Sequence, residues 1–329
     1  MSIRLGSLTL KHGIMLAPMA GYTDRAFRVV ANECGAELSV TEMISAKACV
    51  FGDKKTLKLA AIKEDEGSVA LQIFGSEPDT MARAAEILSR PVEKGCVAPV
   101  AIDVNMGCPV HKIFSNGDGS ALMRDPELIF DIIRAIRGAT ELPVTAKMRL
   151  GIDREHMNAT ECALACEAAG AAMITLHGRT RAELYMGEAD REEIARVKKH
   201  LRIPLVANGD ITSAASAIDM LDITGADGIA VGRGAVGNPF IFREIIDALE
   251  GRLSKHPSLS ELSEVALRQL KLAIEDKGET SAVLEARKQI ALYLRSFPGA
   301  AALRRDINSA TTYDEVARVL ESRAILSGE

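Results

Sequence analysis

Eight short apolar segments recur along the chain, and each is followed by a polar or glycine-rich stretch and then by a helix-like pattern. They cover residues 14–19, 38–43, 69–74, 101–105, 144–149, 173–177, 205–208 and 228–231. The segments are almost continuously apolar, as parallel strands are when helices cover both faces of their sheet. Alternating strands and helices favour a parallel sheet, and eight such units favour closure. The pattern therefore predicts an α/β fold, a TIM (β/α)8 barrel.

Helix start signals stand between several of these segments. They are Thr23-Asp24, Pro78-Asp79, Asp125-Pro126-Glu127 and Thr212-Ser213. Asp, Ser and Thr cap helix N-termini with a side-chain oxygen, and Pro is favoured at the first helical position. Each signal lies between two predicted strands, as a (β/α) repeat requires.

The pattern changes after about residue 250. Only helix-like stretches follow from about residue 255 to 326, with a helix breaker at Phe297-Pro298-Gly299. A TIM barrel takes about 250 residues, so the 329-residue chain has room for one barrel and a smaller module. We predict a barrel domain at residues 1–250 and an all-helical C-terminal domain at residues 251–329.

Composition narrows the class of protein. With 47% hydrophobic and 26% charged residues, the chain resembles a globular protein with a substantial core. Its apolar runs are too short to cross a bilayer, and its N-terminus lacks the apolar segment of a secretory signal. The six cysteines show neither a C-x-x-C pair nor a zinc-like spacing with histidine. We therefore expect a cytoplasmic protein with no membrane segment, disulfide framework or metal site.

The fourth predicted strand runs directly into the sequence Asn105-Met106-Gly107-Cys108-Pro109. Residues just past the C-terminal ends of barrel strands form the active-site face of this fold, so Cys108 is a candidate reactive thiol. A single cysteine is more often a small buried packing residue. The other strand ends therefore decide between the two interpretations.

Seven of the eight predicted strands contribute polar residues or glycines at or near their C-terminal ends. They are Pro18-Met19-Ala20-Gly21, Gln72, Asn105 to Cys108, Lys147, His177, Asn208-Gly209-Asp210 and Gly232-Arg233-Gly234. Taken singly, each has a structural explanation, such as a salt-bridging lysine, a core histidine, a surface arginine or a turn glycine. Their joint occurrence at the ends of repeated units favours a binding site.

The chemistry of this set suits a phosphorylated, electron-accepting ring. Glycine-rich turns after strands seven and eight often build a phosphate site in barrels, and Arg233 could close it. Lys147 and Gln72 could donate hydrogen bonds to the edge of the ring and tune its electron affinity. The set predicts flavin mononucleotide (FMN) as cofactor. Cys108 could then act as a general acid toward a bound substrate, while His177 orients its carbonyl oxygens or stabilises enolate charge.

Six runs of the chain together resemble the tRNA-dihydrouridine synthases. They are Leu16-Ala17-Pro18-Met19-Ala20-Gly21-Tyr22-Thr23-Asp24, Asn105-Met106-Gly107-Cys108-Pro109, Ala146-Lys147-Met148-Arg149-Leu150-Gly151, Leu176-His177-Gly178-Arg179-Thr180, Ala207-Asn208-Gly209-Asp210-Ile211 and Val231-Gly232-Arg233-Gly234-Ala235. The bacterial B-type subgroup is the most similar, on Gly237-Asn238-Pro239-Phe240-Ile241-Phe242-Arg243-Glu244, Glu285-Ala286-Arg287-Lys288 and Phe297-Pro298-Gly299-Ala300. The likeness extends over nearly the whole chain.

This resemblance implies an FMN enzyme that uses NADPH to reduce the C5–C6 bond of particular uridines in tRNA. It implies that reduced FMN gives hydride to C6 and that the Cys108 thiol protonates C5, with Asn105 and His177 lying against flavin and uracil. The FMN contacts that it implies are Pro18, Met19, Ala20, Gln72, Lys147, Asn208, Gly209, Asp210, Gly232 and Arg233.

The resemblance also implies that the helical domain binds tRNA. A uracil in folded tRNA must be extruded to reach the floor of a barrel, so a second domain that holds the RNA backbone is physically reasonable. The candidate RNA contacts are Arg287, Lys288, Arg295, Arg304 and Arg305. They could equally form a solvated helix face, since residues 251–329 hold 12 Lys and Arg against 11 Asp and Glu. The whole chain carries a net charge of −5, which argues against indiscriminate nucleic-acid binding. We expect a monomer, because a tRNA must cover much of one face.

Two other functions stay open at this point. The same cofactor site would serve an FMN barrel that reduces or oxidises a free pyrimidine or another small enone. A flavin-free barrel could instead act as an RNA-binding scaffold. Loss of activity on removal of the helical tail, residues 251–329, favours tRNA as substrate. A colourless protein that takes up no FMN excludes both the tRNA-reducing and the small-molecule enzyme.

Overall fold

The computed structural model describes residues 2–295 and 300–326. Its strands are β1 (Ile3–Leu5), β2 (Leu8–Leu10), β3 (Ile14–Leu16), β4 (Leu38–Val40), β5 (Ile44–Ser45), β6 (Val69–Phe74), β7 (Ala101–Met106), β8 (Val144–Arg149), β9 (Met173–His177), β10 (Leu205–Asn208) and β11 (Gly228–Val231). Its α-helices are α1 (Arg25–Glu33), α2 (Ala46–Val50), α3 (Lys54–Leu59), α4 (Pro78–Leu88), α5 (His111–Ser115), α6 (Pro126–Ala139), α7 (Ala159–Ala168), α8 (Arg191–Lys198), α9 (Ala214–Thr224), α10 (Ile241–Leu249), α11 (Leu259–Lys277), α12 (Glu279–Tyr293), α13 (Ala300–Ser309) and α14 (Tyr313–Leu326). Short 3-10 turns cover Glu64–Glu66, Gly119–Arg124 and Arg233–Ala235.

Eight parallel strands close into a barrel, which confirms the predicted fold. Their order around the barrel is β3, β4, β6, β7, β8, β9, β10 and β11, and β11 pairs back with β3. The predicted strands are all present, but β3 and β4 end about three residues early. Beyond β3 the chain turns instead of pairing, because the backbone N–H groups of Tyr22 and Thr23 both bond to the carbonyl of Met19.

The predicted helix starts are also found. The side chains of Asp24, Asp125 and Ser213 accept hydrogen bonds from backbone N–H groups in the first turns of α1, α6 and α9. Pro78 is the first residue of α4, where its missing N–H costs nothing. Side-chain caps and proline therefore begin helices here for the reasons that the sequence suggested.

The N-terminal end of the barrel is closed by a hairpin that the apolar pattern did not single out. Strands β1 and β2 pair antiparallel, with Ile3 opposite Leu10. Ile3, Leu5 and Leu10 are fully buried and share one apolar cluster with the inward-facing residues Met15 and Val206. The hairpin thus plugs the barrel at the end opposite to the predicted site.

Of the C-terminal helices, α11 packs against α1 of the barrel, and α12 and α14 pack against α11. Buried apolar residues of α1, such as Phe27, belong to the same cluster as Leu270 of α11 and Val316 of α14. Ion pairs flank this contact, and one joins Arg25 to Asp276 at 3.1 Å. The division into two domains stays a prediction, and the predicted breaker at Phe297-Pro298-Gly299 lies outside the described residues.

Two further features concern only the described part of the chain. Within it, no helix is both long and apolar enough to span a bilayer. Nor do residues 2–295 and 300–326 bring together three His, Cys, Asp or Glu side chains that could hold a metal ion.

Candidate active site

A cavity of about 810 Å³ opens at the C-terminal ends of the barrel strands. This volume lies in the range of small-molecule sites. Every barrel residue predicted for the site lines it, namely Pro18, Met19, Ala20, Gln72, Asn105, Cys108, Lys147, His177, Asn208, Gly209, Asp210, Gly232 and Arg233. Residues from the helical tail, Leu292 and Arg295, lie on its wall as well.

The loop that carries Cys108 is held on both sides by hydrogen bonds. Asn105 Oδ1 accepts from the backbone N–H of Cys108 at 2.9 Å and from that of Gly107 at 3.2 Å. Ser120 donates to the Cys108 carbonyl at 2.8 Å, and Arg149 Nε donates to the Gly107 carbonyl at 2.9 Å. Burial raises the pKa of the Cys108 thiol, so it carries its proton at neutral pH.

Behind this loop, buried polar side chains form a chain of short hydrogen bonds. Asn105 Nδ2 donates to Gln72 Oε1 at 2.7 Å, and Gln72 Nε2 donates to Asp103 Oδ2 at 2.7 Å. Thr145 donates to the other carboxylate oxygen of Asp103 at 2.5 Å. Burial raises the pKa of Asp103, against the opposing hydrogen bonds and the charge of Lys147. The sequence patterns did not single out Asp103, although a charged residue inside an apolar strand is a signal in itself.

Lys147 points into the cavity from β8. Its Nζ lies 3.0 Å from Asn208 Oδ1, and Asn208 in turn donates to the Ala230 carbonyl at 2.7 Å. Burial, with the nearby charge of Arg149, lowers the pKa of Lys147 to about 8. The group is therefore still an ammonium donor at pH 7, and it loses its charge more readily than an exposed lysine.

His177 is a neutral, oriented imidazole. Burial and then the surrounding cationic side chains, with Lys147 first among them, hold its pKa far below the usual range. Arg179 Nη1 lies 3.4 Å from His177 Nε2, and a guanidinium only donates. His177 Nε2 is therefore the acceptor, which leaves the proton on Nδ1.

The turns after β10 and β11 form a glycine-lined pocket. A Cβ at Gly234 would stand 2.1 Å from the Ile211 carbonyl oxygen, so only glycine allows these two turns to touch. A Cβ at Gly232 would meet nothing closer than Met19 Sδ, at 3.6 Å, so this backbone faces the open cavity. Arg233 Nη2 lies 3.5 Å from Asp210 Oδ1 at the edge of the pocket.

Asp210 anchors this pocket to the rest of the site. Its carboxylate accepts from Arg179 Nη2 at 2.7 Å and from the Ala189 N–H at 2.8 Å. Although burial opposes the change, these hydrogen bonds lower the pKa of Asp210. Arg179 is buried and was not among the predicted site residues, although it stands only two positions after His177.

Two more residues that line the cavity, Arg149 and Tyr185, were not predicted from the sequence patterns. Arg149 donates to the carbonyls of Thr180 and Leu184, each at 2.9 Å, and so ties the loop after β9 to the Cys108 loop. The exposed ring of Tyr185 lies in that loop, with the guanidinium of Arg233 4.7 Å and that of Arg149 5.6 Å from its centre. Arg149 follows Lys147 by two positions on one strand, a spacing that puts both on the same face. Tyr185 lies in an irregular loop and gives no such signal.

The tail candidates occupy different environments. Arg295 lines the cavity, whereas Arg287 Nε donates to the Ala310 carbonyl at 2.9 Å and so links α12 to the C-terminal end of α13. Lys288, Arg304 and Arg305 are exposed. Their contact with RNA stays a prediction.

Comparisons with known proteins extend the likeness noted in the sequence. The family model described as "Dihydrouridine synthase (Dus)" matches residues 15–327. A probable tRNA-dihydrouridine synthase of Rickettsia conorii is 40% identical over 93% of this chain and 91% of its own. The tRNA-dihydrouridine synthase B of Pasteurella multocida is 39% identical over 97% of this chain and 95% of its own.

Solved structures with related folds are much more distant in sequence. An old yellow enzyme homologue from Zymomonas mobilis superposes with a TM-score of 0.54 at 14% identity, over 79% of this chain and 95% of that one. Morphinone reductase in complex with tetrahydroNAD gives a TM-score of 0.52 at 14% identity, over 80% of this chain and 93% of that one. At such low sequence identity, these structures show only that the barrel fold is shared.

Proposed function

The chain belongs to the dihydrouridine synthase family, and from this premise we propose that it reduces the C5–C6 bond of particular uridines in tRNA with FMN and NADPH. The observation that carries this proposal is the position of Cys108. Its protonated thiol lines the same cavity as the ammonium of Lys147, the neutral His177 and the glycine-lined pocket.

The residues around the cavity fit a flavin mononucleotide. The open backbone at Gly232, with Arg233 beside it, suits a phosphate group. Lys147 supplies a cationic donor for the electron-rich edge of the ring, and Gln72 lines the same wall. When bound, the flavin supplies a hydride equivalent that originates from NADPH.

Cys108 has the properties that a proton donor to C5 requires. Burial raises its pKa, so the thiol holds a proton to give. The Arg149 guanidinium, whose charge opposes that rise, stabilises the thiolate that remains. Asn105 and Arg149 hold the loop and so keep Sγ at a constant position in the cavity.

His177 is suited to orient the uracil. Because its Nε2 accepts from Arg179, the proton on Nδ1 is available to a carbonyl oxygen. A neutral imidazole keeps this donor over a wide pH range, since its pKa is far below 7.

The tRNA would be held by the helical tail, residues 251–329, while one uridine is extruded into the cavity. Arg295 and Leu292 support this arrangement because they place the end of α12 on the cavity wall. We further propose that the protein is a cytoplasmic monomer with a barrel domain at residues 1–250.

The test is incubation of the purified protein with FMN, NADPH and an unmodified tRNA transcript. Mass spectrometry of the digested tRNA should show uridines that have gained two hydrogens, and free uridine supplied instead should not react. An uncoloured protein that binds no FMN, or turnover of free uridine with none on tRNA, would contradict the proposal.

A further inference from the structure

A relay of side-chain amides leads from the buried carboxylate of Asp103 to the backbone of the Cys108 loop. We infer that Asp103 is a positioning residue that fixes the orientation of Gln72 and Asn105 and, through them, holds the backbone N–H of Cys108. The expected effect on catalysis rests on the proposed function, whereas the effect on the loop does not.

The direction of the relay follows from groups that can bond in only one way. The backbone N–H groups of Gly107 and Cys108 only donate, so the atom of Asn105 that they meet must be its oxygen. The Asn105 NH2 group then faces Gln72, which must present its own oxygen at 2.7 Å. The Gln72 NH2 group is thereby turned toward Asp103, which must accept.

Asp103 meets this requirement from within the barrel wall. Its side chain is buried, and both carboxylate oxygens accept, one from Gln72 and one from Thr145. The positive charge of Lys147 offsets part of the cost of burying the carboxylate. An apolar residue would pack here without that cost. We therefore attribute the carboxylate to its role in orienting the Gln72 amide.

Loss of the acceptor should release the relay step by step. Gln72 could then rotate its amide, Asn105 would lose a fixed partner, and the Cys108 N–H would lose its acceptor. A displacement of about 1 Å between reacting groups can cost about 10²-fold in rate. The thiol is therefore expected to lose its precise placement while the barrel remains folded.

The experiment compares Asp103→Leu with Asp103→Asn in the full-length, flavin-loaded protein. Leucine removes both acceptor oxygens. Asparagine keeps an oxygen for Gln72, and the Thr145 hydroxyl can rotate to accept from the new NH2 group. Thr175→Val is the matched control, because Thr175 is a buried β9 residue outside the relay.

Hydrogen exchange by mass spectrometry measures protection of the Cys108 loop in a peptide that spans residues 104–112, and it needs no tRNA. Asp103→Leu should speed exchange of the Cys108 amide by about tenfold or more, whereas Asp103→Asn and Thr175→Val should stay near wild type. Dihydrouridine formation should fall by about 10²-fold in Asp103→Leu and be largely restored in Asp103→Asn.

Two outcomes would overturn the inference. One is unchanged exchange of the Cys108 amide in Asp103→Leu. The other is that Asp103→Asn speeds exchange of the Cys108 amide and lowers dihydrouridine formation as much as Asp103→Leu does. That result would mean that the negative charge of Asp103, and not its orientation of Gln72, is what matters. If wild type forms no dihydrouridine, the proposed function fails, but the exchange comparison still decides the relay.

A peptide that covers β3 reports whether Asp103→Leu has folded. If exchange is also faster there, Gln72→Met decides, because it removes the middle of the relay and leaves the Asp103–Thr145 bond in place. The relay predicts faster exchange of the Cys108 amide in Gln72→Met. Exchange at the wild-type rate in that variant would contradict it.

Discussion

The two ends of the barrel interior are built from the same strands but differ in chemistry. On β7, Ala101 belongs to the apolar plug at the N-terminal end, while Asp103 and Asn105 belong to the polar network above it. On β10, Val206 lies in the plug and Asn208 in the cavity wall. A step of two residues along one strand thus separates a region that stabilises the fold from one that serves chemistry. Substitutions at the apolar end should therefore lower stability, whereas substitutions at the polar end should lower activity.

The largest effect on activity without an effect on stability should come from Cys108, one of two cysteines that flank β7. Cys108→Ala should lower dihydrouridine formation on tRNA by about 10²- to 10⁴-fold, because the proton donor is lost. Flavin binding should be unchanged. Cys96→Ala, before the N-terminal end of the strand, is the control and should keep full activity. Equal activity of the two variants would remove Cys108 from the mechanism.

At the apolar end, Ile3→Ala should destabilise the protein by about 2–5 kcal/mol, because it opens a cavity in the buried hairpin plug. Thermal unfolding measures the loss. Activity per folded molecule should stay at the wild-type level below the transition. A specific loss of activity without a loss of stability would mean that the two ends are not separate.

Gly234→Ala tests the contact between the turns after β10 and β11. The added Cβ would collide with the Ile211 carbonyl, so the turns must separate, and FMN affinity should fall by about tenfold or more. Titration by flavin fluorescence measures the affinity. Gly138→Ala in α6 is the control, since nothing lies within 4 Å of its added Cβ. Similar FMN affinity of the two variants would place the phosphate elsewhere.

Lys147 should add a pH dependence to the stability of the folded protein. The half-buried ammonium has a pKa of about 8, against 10.5 for a free lysine. Below pH 8 both folded and unfolded chains are protonated, so the cost of burial is fully present. As pH rises from 8 to 10.5 the folded state loses its proton first, and this cost disappears.

In flavin-free protein, wild type should therefore gain stability relative to Lys147→Met as pH rises through this range. Melting temperatures of the two proteins at pH 7, 8, 9 and 10 measure the difference. Lys54→Met, at an exposed position of α3, is the control and should keep a constant offset from wild type. A Lys147→Met offset that does not change with pH would show that the pKa of this amine is not lowered.

Much of the fold and of the candidate site was predictable because each depends on local patterns. Continuous apolar runs mark the barrel strands, and side-chain caps mark the helix starts. Cys108 and Lys147 could be found because they stand at or near the C-terminal ends of strands, which meet on one face whatever the details of packing. The hairpin β1–β2 was missed, since its two strands of three residues each carry almost no periodic signal.

The polar network could not be predicted in the same way. The bond between Asp103 and Gln72 depends on the register of two strands that are about 30 residues apart, with Gln72 opposite Asp103. Nothing in either segment fixes that register. Arg179 and Tyr185 gain their roles from loops whose paths are set by hydrogen bonds to backbone carbonyls, which residue types alone do not specify.

In the function that we propose, the polar end of the barrel passes reducing equivalents to tRNA through a flavin, with Cys108 as proton donor. The most direct measurement is anaerobic single turnover, in which flavin-loaded protein reduced with NADPH is mixed with unmodified tRNA. Flavin absorbance should return as dihydrouridine forms, one per flavin, and in Cys108→Ala the flavin should be reduced normally but reoxidised by tRNA at least about 10²-fold more slowly. Reoxidation by tRNA at the wild-type rate in that variant would contradict the account.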